Sequence, residues 1–152
     1  MILPLSEKTI EQLTIENWIK CFIDEVINVE NSIIELESII KKCSTAHFDL
    51  LNIDLDKYVG KIDEFLEFIE IEWQQKVEYD KKNGIIIVDE NKDYCVCPLV
   101  NSNIISSEKV CTCSEGFAES MYSYILQKHV KVKVIRSWLR DKKSCIYKIF
   151  IK

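Results

Sequence analysis

Five of the chain's seven cysteines fall in its last 58 residues. They stand as Cys95-Val96-Cys97-Pro98, Cys111-Thr112-Cys113-Ser114 and a single Cys145. In extended backbone, residues i and i+2 share a face, so each Cys-x-Cys pair would direct both sulfurs to one side. Two such pairs, with 13 residues between them, could converge into a four-thiolate site. Four thiolates suit tetrahedral Zn²⁺, with Zn–S bonds of about 2.3 Å. A closed site of this kind would staple a stretch that has little apolar mass of its own. The candidate metal ligands on this ground are Cys95, Cys97, Cys111 and Cys113, with zinc as the cofactor. The usual zinc spacing is C-x₂₋₄-C, so C-x-C leaves other chemistry open.

Reactive thiol chemistry is the second reading. Cys113 stands just before Ser114, an expected helix N-cap, where unpaired N–H groups and the helix dipole stabilise a thiolate. As a catalytic nucleophile it would serve a cysteine-dependent hydrolase or a thiol oxidoreductase, with Cys111 or Cys145 as the resolving thiol. A hydrolase also needs a base, and the histidines are His47 and His129. His129 ends the helix that Cys113 begins, roughly 20 Å away. The third reading is that the cysteines are reduced, buried and inert, which is the expectation for Cys21 and Cys43 in helical apolar patterns.

The elements that must carry these residues follow from periodicity. Apolar residues recur at helical spacing from Ser6 to about Lys42, as two helices with a break near Asn28 to Asn31. Thr9 with Gln12, and Ser6 before them, are N-terminal cap candidates. A connection over Ser44 to Asn52 carries His47 and Phe48. Asp54 then opens a long helix with Tyr58, Ile62, Phe65, Leu66, Ile69, Trp73 and Val77 on its stripe, ended by Asn83-Gly84. That stripe suits a bundle or a homodimer seam. Beyond Gly84 the period shortens: Ile85 to Val88 and Tyr94 to Cys97 read as strands, Asn101 to Ser107 as a loop, and Ser114 to about Lys128 as a helix. Val130 to Leu139 and Cys145 to Ile151 read as an antiparallel hairpin turned at Arg140 to Ser144. The fold class is α+β: a helical segment over residues 1–83, then a cysteine-rich α+β domain over 84–152 with a small antiparallel sheet and one covering helix, the two packed as one unit.

Composition narrows the function classes. Three Gly and two Pro among 152 residues argue against long linkers. No basic region followed by an apolar stretch opens the chain and no apolar run reaches about 18 residues, so the expectation is a cytoplasmic protein with no membrane partner. In a reducing compartment clustered cysteines point to metal or redox chemistry. Residues 1–80 carry 7 Lys/Arg against 18 Asp/Glu, net −11, and residues 81–152 carry 13 against 7, net +6. The basic half alternates Lys131 and Lys133 with valines, as a strand with one wet face does, so two complementary halves are expected and no nucleic-acid partner. Nothing resembles a phosphate loop, a dinucleotide fingerprint or a serine nucleophile elbow.

The second half resembles a family of small, mostly uncharacterised bacterial proteins related to the 4-vinyl-reductase-like domain. The residues that carry the resemblance are Tyr94-Cys95-Val96-Cys97-Pro98, Cys111-Thr112-Cys113-Ser114-Glu115-Gly116-Phe117, Val130-Lys131-Val132, Ser137-Trp138-Leu139 and Cys145-Ile146-Tyr147-Lys148-Ile149. It implies a fold that binds small hydrophobic molecules, with metal ligands drawn from Cys95, Cys97, Cys111, Cys113 and Cys145, any three or four of them. Where the family has Glu before the Ser and a Gly-Asp turn before the last cysteine, this chain has Arg136 and Arg140-Asp141-Lys142. A similar cysteine-bearing scaffold in a family named for thiazoline-carboxylate hydrolysis keeps an enzyme in view. The resulting expectation is a small-molecule-binding or sensor protein with a cysteine-ligated metal and an apolar pocket lined by Phe117, Tyr124, Trp138 and Tyr147. The alternatives are thiol catalysis at Cys113 and a helical dimerisation module.

Overall fold

The computed structural model describes residues 9–28, 36–49, 51, 53–101 and 108–152. The cap expected at Ser6, part of the first helix break and most of the loop up to Ser107 lie outside these. Two helices open the described chain, α1 (Ile10–Asn28) and α2 (Leu36–Phe48), so Phe48 ends a helix where a connection is expected. The start of α1 is a reciprocal capping box. The Thr9 Oγ1 accepts from the Gln12 N–H at 3.2 Å, and the Gln12 Oε1 accepts from the Thr9 N–H at 3.0 Å.

The long helix expected from Asp54 to Asn83 is three elements instead. A 3-10 turn covers Asp56–Tyr58, α3 runs Ile62–Glu72, and β1 takes Lys76–Asp80. Gly60, at φ +75°, breaks the first join, and Gln74, at φ +56°, the second. The apolar stripe is buried in the chain's own core: Tyr58, Phe65, Leu66 and Ile69 pack with residues of the later sheet. The expected boundary at 83/84 thus falls in the turn joining β1 to β2 (Ile85–Asp89), so the first segment supplies a strand to the sheet.

Beyond β2 come a short α4 (Pro98–Asn101), a 3-10 turn at Glu108–Cys111, α5 (Thr112–Leu126), β3 (Val130–Arg136), a four-residue α6 (Trp138–Asp141) and β4 (Ile146–Ile151). The fold is α+β, and the four strands form one antiparallel sheet in the order β1-β2-β4-β3. The expected hairpin arms are β3 and β4, with α6 in the connection, capped by the Ser137 Oγ accepting from the Arg140 N–H.

Alternation decides which face is covered. Ile86 and Val88 of β2, Tyr147 and Ile149 of β4, and Val130 and Val132 of β3 are buried, while their neighbours along each strand are less so. This face packs with Ala118, Met121, Tyr122 and Ile125 of α5 and with α3. A second cluster joins Trp18 of α1 and Ile39, Ile40 and Cys43 of α2 to Val110 and Cys113. The helices α2 and α5 approach closely at Gly116. A Cβ there would fall 2.9 Å from the Lys41 carbonyl carbon and closer still to its oxygen and to the Ser44 Oγ.

The edge strand β3 is closed by α5. The Val130, Val132 and Val134 N–H groups donate to the Ser123 Oγ at 3.2 Å, the Glu119 Oε1 at 3.1 Å and the Glu115 Oε1 at 3.0 Å. Four helical residues rise about 6 Å and two strand residues about 6.7 Å, so the two rows stay in step. Lys41 supports the carboxylates, at 2.8 Å from Glu119 and 3.4 Å from Glu115.

Candidate functional site

Sheet register builds the site. The pairs Lys76↔Asp89 and Asp89↔Ile146 end the β1–β2 and β2–β4 ladders. One residue further on, the Glu90 N–H still donates to the Cys145 carbonyl at 2.9 Å. Parity places Gln75, Glu90 and Cys145 on the same face as Val77, Val88 and Tyr147. The covered face therefore ends in a row of an amide, a carboxyl and a thiol, where a continuing core would be apolar.

Four cysteines meet beside this row. Cys95 and Cys97 lie on irregular backbone between β2 and α4, not on the strand expected there, Cys111 precedes the first residue of α5, and Cys145 precedes β4. All four line one cavity of about 20 Å³, together with Glu90, Ser137 and Tyr147. That is room for about one water or one ion. The expected sharing of a face by Cys111 and Cys113 does not hold. The pair spans the entry into α5, where residues two apart point in nearly opposite directions, not to one side as in a strand. Cys113 accordingly packs with Trp18 and α2 and, with Cys97, lines a second, partly open cavity of about 100 Å³.

Burial pushes the Cys113 thiol up to about 12, with the nearby Cys97 adding to it and the Trp18 ring N–H opposing. Such a thiol is almost wholly protonated at neutral pH, a poor state for a nucleophile. Burial also raises Cys95 and Cys145, the latter against the Trp138 N–H, which donates to its Sγ at 3.3 Å. The exposed His129 stands on the open groove between α2 and α5, with Lys41 and Glu119, away from the thiols.

Cysteine thiolates are donors of the kind that zinc takes. The arrangement is not a closed site: among the described residues no three His, Cys, Asp or Glu side chains are grouped to hold a metal ion.

Of the expected pocket residues, Phe117 and Tyr147 line the larger cavity. Tyr124 is exposed, its hydroxyl bonded to the Asp56 carboxylate, and Trp138 lines neither cavity. Trp73, expected on the helical stripe, also lines the larger cavity, as do Gln75 and Glu90, which carry no local sequence signal. Gln75 and Glu90 face each other only through strand register, with the Gln75 Nε2 donating to the Glu90 Oε2 at 2.7 Å. Burial raises the pKa of Glu90, and this bond opposes the rise.

No protein-family model matches the sequence, and no curated protein does. Among solved structures the chain is similar to a trafficking protein particle complex subunit 3 from Naegleria fowleri, described as covalently bound to palmitic acid. The TM-score is 0.51 at 9% identity, over 94% of this chain and 95% of that one. At that identity the likeness is one of fold, and it extends over nearly the whole of both chains.

Proposed function

We propose that this is a small-molecule-binding protein whose site lies at the thiol-bearing end of the sheet, where Cys95, Cys97, Cys111 and Cys145 close on a soft metal ion, zinc first. The observation that carries the reading is that four thiols from three separate stretches line one ion-sized cavity. Cys95 and Cys97 sit on irregular backbone between β2 and the short α4, whose first bonds the Cys97 carbonyl accepts from the Val100 and Asn101 N–H groups, so closing on an ion would be a change confined to that stretch and α4. The resemblance to the 4-vinyl-reductase-like domain supports the same reading. The neighbour's palmitic acid is a ligand of that protein; the two cavities at this end of the sheet, of about 20 and 100 Å³, suit a much smaller molecule, while the open groove between α2 and α5 measures about 370 Å³. Among the described residues no helix is long and apolar enough to cross a membrane.

The test is elemental analysis by mass spectrometry on protein purified without an affinity tag, with thiol titration before and after chelation. About one zinc per chain, and thiols that react only after chelation, is the expected result. Metal-free protein that also takes up no added zinc would remove the metal site.

A further inference from the structure

Strand parity gives the sheet a second face, turned away from α3 and α5. Register sets its central residues in two rows that cross all four strands: Asp80, Ile85, Phe150 and Lys131, then Glu78, Ile87, Lys148 and Lys133. Ile85, Ile87 and Phe150 are half-buried, yet they belong to neither core cluster. The charges that flank them are exposed. Lys148 lies along the apolar centre, its Nζ 5.2 Å from the middle of the Phe150 ring, so its stem adds to that surface. Each row therefore runs from a carboxylate on β1, through an apolar middle, to an ammonium on β3. At the next row the Arg136 guanidinium pairs with Asp89 of its own sheet at 3.3 Å, so free charge is concentrated on these two rows.

A face with this gradient is complementary to itself. A two-fold axis along the strands would lay β1 of one copy over β3 of the other and β2 over β4, with the rows kept in step. Asp80 then meets the second copy's Lys131, Glu78 meets its Lys133, and Ile85 meets its Phe150, each contact occurring twice. An axis across the strands would set β1 on β1 and β3 on β3, like charge against like charge. We propose that the chain self-associates through this face, as a two-fold dimer with its strands aligned. The seam is thus not the Tyr58 to Ile69 stripe, which the chain buries in its own core. Four strands about 4.8 Å apart and about five residues long give a face of roughly 300 Å², well under the ~800 Å² per partner of a standard interface. The dimer is accordingly weak, and salt weakens it further. It depends on neither the thiols nor the cavities.

The experiment is sedimentation equilibrium of the full chain from about 10 to 500 μM, in low and high salt. A dimer that fills with concentration and weakens severalfold in high salt is expected. Glu78→Lys and Lys133→Glu should each weaken it about tenfold, and an equal mixture of the two variants should restore it, because each then meets its opposite charge in the other. Lys133 also stands 3.6 Å from Glu115 of its own chain. If Lys133→Glu does not fold, Glu78→Lys and Ile87→Lys carry the test, and both should leave the chain monomeric. A wild-type chain that stays monomeric at the highest concentration overturns the proposal and leaves the face to another partner. Association that survives both substitutions, or a mixture of folded charge variants that stays monomeric, overturns it as well.

Discussion

Replacing Gly116 with Ala tests how the helical layer is seated over the site. The new Cβ would fall 2.9 Å from the Lys41 carbonyl carbon, nearer its oxygen, and nearer the Ser44 Oγ. Ser44 cannot simply rotate away, because its hydroxyl donates to that same Lys41 carbonyl at 2.5 Å. Two of the obstructing atoms are α2 backbone, so relief requires α2 to move off α5. Overpacking costs about 1–3 kcal/mol, and a clash with backbone belongs at the upper end. Ala returns about 1 kcal/mol of helix propensity. The net loss is therefore about 2 kcal/mol, or roughly 4–8 °C in melting temperature for a chain of this size. Differential scanning calorimetry measures it, and native-state alkylation of Cys113 should speed up in parallel, since α2 residues Ile39, Ile40 and Cys43 share its cluster. A midpoint that stays put or rises would refute this seating of α2.

Further outcomes follow from other contacts. At the proposed zinc site, Cys111→Ser should abolish zinc uptake by mass spectrometry, whereas Cys21→Ser, half-buried on α1 outside the thiol cavity, should leave it unchanged. Glu119→Ala strands the Val132 N–H and removes the nearer partner of Lys41, so urea unfolding should show a loss of about 1–3 kcal/mol. Burial would raise the Asp89 carboxyl, but bonds from Ser144 and the Asn91 N–H, with Arg136 at 3.3 Å, hold it below the usual range. A depressed folded-state pKa stabilises the protein above the unfolded value and is lost as pH falls through the folded one. The melting temperature should therefore drop below about pH 4, and drop less in Asp89→Asn.

The sequence made some of this legible for physical reasons. Thr9 and Gln12 are a local capping signal, and they cap α1. Alternation along β3 and β4 is a two-residue period, which survives without tertiary information. Four cysteines line one cavity, but not the two pairs expected: Cys145 stands where Cys113 is expected, because Cys111-Thr112-Cys113 is too short to reveal whether its period is strand or helix. Val77 misled because it falls four residues after Trp73, in helical step, while in fact it shares a strand face with Tyr79 along β1, alternating with Lys76, Glu78 and Asp80. Gln75 and Glu90, 15 residues apart, become a pair only once β1 and β2 are in register. No local pattern in a single sequence encodes that.

The row of bonds from α5 to β3 also bears on association. An open strand edge is a template for another chain, and here one border of the sheet is occupied by Ser123, Glu119 and Glu115. The opposite border, β1, has Lys76, Glu78 and Asp80 exposed, and its Val77 N–H is taken by the Glu70 carboxylate at 3.3 Å. Among the described residues the sheet therefore has one border closed by three side-chain bonds and one guarded by charge and a single such bond. A lesion in α5 would lower the kinetic barrier to fibre-like self-association as well as the folding free energy, so variants at Glu115 or Glu119 should aggregate out of proportion to their lost stability.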